Sequence, residues 1–97
     1  MNLKKFNKAF ENKARLGIMA MLIANEEVSF TEFKDLLDLT DGNLSSHLKA
    51  LEKEHYLEVK KEFVDRKPKS TYLVTESGKA AFQLHIEQLE ALIKMNK

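Results

Sequence analysis

The sequence predicts a mainly α domain that is interrupted by one small β-hairpin, an α+β fold class. Apolar residues recur at three- and four-residue intervals over most of the 97 residues, whereas residues 56–74 change to the two-residue alternation of strands. Three Gly and one Pro are too few for a turn-rich all-β sandwich. A chain of this size buries roughly 60–70% of its unfolded surface in one core, so we predict a single domain over residues 1–97.

Composition excludes several classes of protein. Hydrophobic residues at 43% and charged residues at 32% are typical of a globular chain rather than a disordered one. The absence of Cys excludes disulfide scaffolds, thiolate metal sites and cysteine nucleophiles. The longest apolar run, Ile18–Ala24, is far shorter than the about 20 residues of a membrane span. With no signal-like apolar segment at the N-terminus, we expect a cytoplasmic prokaryotic protein that does not bind membranes.

The first 25 residues predict two helices. Leu3, Phe6 and Phe10 recur at three and four residues, which indicates a short amphipathic N-terminal helix. Asn12 is typical of an N-cap, and we expect it to begin a second helix that ends near Asn25. Apolar side chains form a wide face of this second helix: Leu16, Ile18, Met19, Leu22 and Ile23.

A capping box marks the start of the third helix. Ser29 and Glu32 have the spacing at which each side chain accepts a hydrogen bond from the backbone of the other, and Val28 with Phe33 has the spacing of a hydrophobic staple. We therefore predict a short helix over about Phe30–Leu37. Its apolar side chains should pack on the core: Phe33, Leu36 and Leu37.

The fourth helix is predicted from about Asp41 to Lys53. Thr40 is a suitable N-cap, Asp41 suits the positive first turn, and leucines follow at helical spacing at positions 44, 48 and 51. The opposite face carries small or polar side chains: Gly42, Asn43, Ser45, Ser46, Lys49 and Lys53.

A hairpin follows this helix. Leu57, Val59 and, as a third position, Lys61 alternate with charged residues, which predicts a half-buried strand over residues 56–64. Residues 65–69 contain Pro68 and are predicted to form the turn, and residues 70–74 the second strand.

The last helix is predicted from Glu76 to about Met95, with Thr75 as its N-cap. Its apolar residues step by four, three and four, a seam that suits a partner helix: Phe82, Ile86, Leu89 and Ile93.

The net charge of +1 conceals a strong pattern along the chain. Residues 1–25 carry +4, residues 26–39 carry −4, residues 40–59 carry −2, residues 60–69 carry +3, and residues 70–97 are neutral. Five cations within ten residues of the hairpin indicate either a patch that meets an anion or a solvated loop.

This order of elements is typical of a winged helix-turn-helix. A helix that enters the major groove needs small and hydrogen-bonding side chains near its N-terminus, and the helix over about 41–53 has them. A basic hairpin, the wing over residues 64–70, would reach the neighbouring backbone or minor groove. The predicted DNA-binding residues are Thr40, Gly42, Asn43, Ser45, Ser46, Lys49, Arg66, Lys67 and Lys69.

Four segments resemble small bacterial and archaeal winged-helix transcription regulators of the compact MarR/ArsR-like branch. They are LTDGNLSSHLKALEK at residues 39–53, YLEVKK at 56–61, RKPKSTY at 66–72 and LVTESGK at 73–79, so the resemblance covers roughly residues 12–82. The cysteine-rich motifs of metal-sensing members of the family are absent.

The resemblance implies a homodimer that represses or activates transcription from a palindromic site on double-stranded DNA. The terminal segments 1–11 and 76–97 are expected to build the dimer. Together with the two apolar stripes, this assigns the interface to Leu3, Phe6, Phe10, Phe82, Ile86, Leu89 and Ile93.

Other functions fit the sequence less well. His47 follows Ser45 and Ser46, but neighbours on a helix do not face one another, so we expect no catalytic pair. The three histidines are too scattered to predict a metal site, and no cofactor or enzymatic activity is predicted. A small apolar effector could occupy the aromatic stripes, although a core or an interface explains them better. The alternative function is a winged-helix protein-interaction module without DNA binding.

Overall fold

Four α-helices and a three-stranded antiparallel sheet make up the fold, which confirms the predicted α+β class. The computed structural model describes residues 3–95. The helices are α1 (Lys13–Ala24), α2 (Phe30–Leu37), α3 (Asp41–Lys53) and α4 (Glu76–Lys94), and the strands are β1 (Val28–Ser29), β2 (Leu57–Val64) and β3 (Lys67–Val74). Within the described residues, no helix combines the length and the apolar content that a membrane span requires.

Side-chain caps fix the starts of the helices, as the sequence predicts. At the start of α2, the backbone N–H of Glu32 donates to Ser29 Oγ at 3.2 Å, and the N–H of Ser29 donates to Glu32 Oε1 at 3.1 Å. These hydrogen bonds from the backbone and side chain of Ser29 hold the pKa of the Glu32 carboxyl below its usual value. The other three predicted caps also accept backbone hydrogen bonds: Asn12, Thr40 and Thr75.

The predicted N-terminal helix is wrong, because two short 3-10 turns occupy its place. They span Leu3–Lys5 and Lys8–Phe10. Between them, the Asn7 side chain accepts a hydrogen bond from the N–H of Ala9 at 2.9 Å and so starts a new turn. This local bond competes with a continuous helix. Asn7 Nδ2 also donates to the Tyr56 hydroxyl at 2.8 Å, which ties the turn to the body of the protein.

The sheet has one strand more than the sequence predicts. Its order is β1-β3-β2, and β1 adds only two pairs to β3, Val28 with Tyr72 and Ser29 with Thr71. Two residues are too few to display the alternation by which strands are recognised. Ser29 is therefore the last residue of β1 and also the N-cap of α2.

The hairpin turn is shorter than predicted. Asp65 and Arg66 form it alone, with φ of 51° and 64°, the left-handed pair that matches the twist of a two-residue hairpin. Lys67 and Lys69, predicted in the turn, lie in β3. Pro68 is tolerated there because β1 pairs with β3 only farther along, which leaves one edge of β3 free at this position.

The core lies between α1, α2, α3 and the base of the sheet. Its fully buried side chains include Ile18, Met19 and Leu22 of α1, Phe33 of α2, and three leucines of α3. The prediction that Leu36 packs on the core is wrong, since 71% of this residue is exposed. Neighbours on a helix point about 100° apart, so the turn that directs Phe33 and Leu37 inward directs Leu36 to the side.

An aromatic cluster joins the N-terminal turns to α4. The ring of His85 contacts Phe10 at a centroid distance of 5.2 Å and Phe6 at 5.9 Å, and Phe10 stacks on Tyr56 at 5.6 Å. His85 is 5% exposed, and its Nδ1 has no hydrogen-bond partner within the part of the chain that the structure describes. Burial lowers the pKa of His85, because a charged imidazolium would lose its hydration here.

Gly78 brings α4 into direct contact with the turn before β2. A Cβ at this position would lie 2.1 Å from the carbonyl oxygen of Tyr56, and that oxygen is already the acceptor for the N–H of Thr75 at 3.1 Å. Only glycine allows this approach, so Gly78 fixes where α4 begins relative to the sheet.

We expect Gly78→Ala to lower the free energy of unfolding by about 1–3 kcal/mol, because the backbone must shift to accept the methyl group. Thermal unfolding followed by circular dichroism measures the change. Gly42→Ala is the matched control, since a Cβ at Gly42 has no heavy atom within 4 Å. The control should keep or slightly raise the melting temperature, and equal losses in the two variants would contradict this account of Gly78.

We also expect stability to fall as the pH drops from 7 to 5. Burial lowers the pKa of both His85 and His47 in the folded protein, so the unfolded chain binds more protons over this range and gains stability relative to the folded state. His85→Phe should reduce the pH dependence of the melting temperature, leaving the part due to His47. An unchanged pH dependence in this variant would show that His85 does not contribute.

Candidate nucleic-acid interface

The connection between α2 and α3 presents the N-terminus of α3 at the surface. Asp38 ends α2 in the left-handed conformation with φ of 51°, which short polar side chains tolerate. Two residues later the Thr40 side chain accepts a hydrogen bond from the N–H of Asn43 at 3.2 Å and begins α3. The helix then spans Asp41–Lys53, the bounds that the sequence predicts.

One face of α3 is buried and the other is open. Leu44, Leu48 and Leu51 are at most 2% exposed and belong to the core. Because residues three and four apart share a helix face, the side of α3 opposite these leucines points outward. Of the predicted DNA-binding residues on this segment, five are exposed and Ser45 is half-buried; the five are Thr40, Gly42, Asn43, Ser46 and Lys49.

Gly42 has no structural role in the free protein. A Cβ there would meet no heavy atom within 4 Å, and the backbone φ of Gly42 is not positive. The fold therefore does not require glycine at this position. The open space lies at the N-terminus of α3, where the partial positive charge of the helix dipole attracts anions.

An ion pair compensates the acidic residue at this end of α3. Lys34 Nζ lies 2.7 Å from Asp41 Oδ1. The hydrogen bond to Asp41 raises the pKa of Lys34, so the lysine stays charged at neutral pH. The pair is exposed and adds little to stability, but it reduces the repulsion that the Asp41 carboxylate would exert on a phosphate.

His47 holds α3 against α1. Arg15 Nε donates to His47 Nδ1 at 3.1 Å, so this nitrogen carries no proton when the bond forms. Burial, followed by the charge of Arg15, lowers the pKa of His47 and keeps the ring neutral. His47 is thus a packing residue between two helices rather than a partner for the neighbouring serines.

A groove separates α3 from the hairpin. It has a volume of about 260 Å³, and its polar lining includes Ser45, Lys49 and the carboxylate residue Glu52 from α3, and Lys61 and Ser70 from the hairpin. Lys61 is not among the sequence-predicted site residues. In the sequence, the alternation of β2 places Lys61 on the same strand face as Leu57 and Val59, and this pattern could have identified it as a site residue. Ser45 and Lys49 thus face a second basic side chain across the groove.

The three cations predicted at the wing do not converge on one surface. Arg66 is exposed in the turn itself. Lys67 and Lys69 lie in β3 one residue out of phase with Ser70, so they project from the opposite face of the hairpin. Lys69 lines a cavity with residues 29–31 at the start of α2 and pairs across the strands with Glu62. Lys61, by contrast, lines the groove beside α3.

The residues predicted for the dimer interface differ in exposure. Phe10 is 1% exposed in the core of the protomer, so its ring offers no surface to a second copy. Phe6 is half-buried against His85, and the side chain of Leu3 lies outside the described residues. On α4, Phe82, Ile86 and Leu89 are partly exposed and Ile93 is 66% exposed.

No group of three or more His, Asp or Glu side chains within residues 3–95 is arranged to hold a metal ion. The exposed residues around α3 and the hairpin include hydroxyl, amide and basic groups, the types that bind phosphate oxygens and base edges, together with carboxylates such as Asp41, Glu52 and Glu62.

Known proteins share this sequence and this fold. A family model described as a winged helix DNA-binding domain matches residues 14–93. An uncharacterized protein of Methanocaldococcus jannaschii is 37% identical over 87 residues, which cover 90% of this chain and 95% of that protein. The similarity therefore extends over nearly the full length of both proteins.

Two solved structures are similar in both sequence and fold, and one of them is described as a transcriptional regulator homologue. A transcriptional regulator homologue from Pyrococcus horikoshii superposes with a TM-score of 0.84 at 31% identity, covering 92% of this chain and 88% of that one. HlyU from Vibrio cholerae superposes with a TM-score of 0.68 at 31% identity, covering 84% of both chains.

Proposed function

This chain belongs to the winged helix DNA-binding domain family, as its resemblance to winged-helix transcription regulators predicts, and we propose that it regulates transcription by binding a double-stranded DNA operator as a homodimer. The observation that carries the proposal is the exposed N-terminal half of α3. The core holds its three leucines, while Gly42, Asn43 and Ser46 face outward with no bulky side chain between them. Such a helix fits the major groove.

In this proposal, the predicted DNA-binding residues at α3 contact phosphates, support the helix start or meet base edges. Gly42 lets the helix N-terminus approach a phosphate, and Thr40 supports this turn as its cap. Asn43 and Ser46 are placed to meet base edges, with Asn suited to adenine. Lys49 neutralises a phosphate across the groove from Lys61, beside the half-buried Ser45.

The hairpin supplies the second contact. Residues 60–69 are all exposed and carry five cations against two carboxylates. Arg66 at the turn suits the negative potential of a narrow minor groove. Lys67 and Lys69, on the other face, add long-range attraction for DNA rather than contacts beside α3.

We assign dimerisation to the terminal segments 1–11 and 76–97 of a single domain. The support is an apolar stripe along α4 that the protomer covers only in part, made of Phe82, Ile86, Leu89 and Ile93. A two-fold dimer would place its recognition helices about 34 Å apart, so the operator would be an inverted repeat.

The relatives are archaeal and bacterial, and we place this activity in a prokaryotic cytoplasm without a cofactor or enzymatic step. The decisive experiment is selection of duplexes from a random-sequence library on the purified protein, followed by binding of the winner in a salt series. An inverted repeat with half-sites about 10 base pairs apart is the expected product. No binding even at low salt would favour the alternative, a winged-helix interaction module.

We expect Lys49→Ala and Arg66→Ala each to reduce the slope of log K against log salt by about one unit, because each removes one phosphate contact. Fluorescence anisotropy on the selected duplex measures the slope. Lys79→Ala on α4 is the control, since Lys79 is an exposed cation that pairs with Glu76 and lies beside residues at the end of α1. If all three variants have the slope of the parent, the docking of α3 and the hairpin is wrong.

We expect Ile93→Glu to convert the dimer to a monomer in sedimentation equilibrium, because a charge would lie in the apolar stripe. Ile93 is 66% exposed in the protomer, so the variant should fold normally. Leu84→Glu is the matched control: Leu84 is 56% exposed on the same helix but lies on the opposite side. A dimer that survives Ile93→Glu, or a monomer produced only by Leu84→Glu, would refute this interface.

A further inference from the structure

Phe63 is the most exposed large apolar residue of the hairpin, at 78%, and its ring packs on none of the other aromatic rings within residues 3–95. It stands opposite Pro68 in the register of β2 and β3, one residue before Val64. An aromatic ring that is exposed to water near the end of the hairpin contributes little to the stability of the fold, since it buries little apolar surface. The ring is therefore accessible to a partner outside the chain.

The ring lies on the side of the hairpin that faces α3. Side chains alternate along a strand, so Phe63 shares its face with Lys61 two residues earlier, and Lys61 lines the groove against Ser45 and Lys49. Phe63 extends this face toward the turn that holds Arg66. A ligand that lies along the groove and passes under the hairpin would reach the ring.

The positive charge of the hairpin indicates which kind of partner Phe63 would contact. Residues 60–69 carry a net +3, and Lys61 and Arg66 are near Phe63 along the strand and turn. Two hairpins from two copies of the chain would repel each other, whereas a polyanion would be attracted. An apolar ring among cations fits duplex DNA, which offers phosphates at the edges of a groove and stacked bases at its floor.

We propose that Phe63, supported by Pro68, inserts as a wedge at a base step in the minor groove beneath the hairpin and kinks the DNA there. Apolar wedges of this kind unstack one step and bend the duplex. Pyrimidine–purine steps unstack most readily, so the wedge makes the operator depend on the sequence of a step that α3 does not touch. The inference rests on the proposed function, because it requires that the protein bind duplex DNA.

The first test compares Phe63→Ala with the parent on the selected duplex. We expect the dissociation constant to rise about tenfold, by analogy with the loss of one aromatic stacking contact, and the salt slope to stay unchanged because no charge is removed. Energy transfer between dyes at the duplex ends should report a bend with the parent and a straighter duplex with the variant. Phe63→Leu, which keeps an apolar wedge, should retain most of the bend.

Val64→Ala is the matched control, because Val64 is 43% exposed on the same strand and points to the other face of the hairpin. It should bind and bend DNA as the parent does. Because all of these positions are exposed, we expect the variants to keep the melting temperature of the parent. This result would exclude misfolding as the cause of a change in binding or bending.

A second test replaces the kinked step in the DNA. Scanning 2-aminopurine along the duplex should locate one unstacked position. Replacing the step there by a stiff A-tract step should lower the DNA affinity of the parent but leave the affinity of Phe63→Ala nearly unchanged. An equal loss of affinity in the parent and in Phe63→Ala would overturn the wedge.

The outcomes separate the two proposals. A parent that does not bind DNA overturns the proposed function and the wedge with it. A parent that binds while Phe63→Ala binds and bends equally well, or a parent that leaves the duplex straight, overturns the wedge alone. Self-association of the parent that is lost in Phe63→Ala without DNA would show that the ring meets a second copy, which also overturns the wedge.

Discussion

The burial of Leu44, Leu48 and Leu51 is the constraint on which the surface of this protein depends. Three leucines on one stripe of α3 must all reach the core, which fixes the rotation of the helix about its axis. With that rotation, Asn43 and Ser46 lie on the side of α3 that faces away from the core. The Arg15–His47 hydrogen bond fixes the same helix against α1 from the side. The polar surface is thus a consequence of the core rather than an independent feature.

Features set by neighbours in sequence could be predicted, whereas features set by distant contacts could not. The bounds of α3 and the Ser29–Glu32 capping box follow from side chains three residues apart, and both are as predicted. The strand β1 has two residues and exists only because β3 lies beside it. The outward rotation of Leu36 likewise depends on which face of α2 the core accepts. At the N-terminus, Asn7 overrides an apolar period by a single local hydrogen bond.

The same distinction applies to the candidate site. The residues of α3 could be predicted because the helix period alone separates them from the leucines. The basic residues of the hairpin could be recognised as a cluster, but composition does not tell which face each one occupies. A two-residue turn rather than a five-residue one moves Lys67 and Lys69 into β3, and strand alternation then separates them from Lys61. The shortening of the turn by three residues is what places the positive charges on both faces of the hairpin.

Ser29 gives the molecule a mechanical property. It pairs with Thr71 of β3 and is at the same time the N-cap of α2, so no loop separates the base of the hairpin from the helix pair. A hairpin joined to the helices by a flexible loop could change its angle to follow a bound ligand. Here, tilting the base of the hairpin must also turn the first residues of α2. In the proposed complex, the spacing between α3 and the hairpin is therefore set by the protein, and a duplex whose adjacent grooves are spaced differently must itself deform to bind.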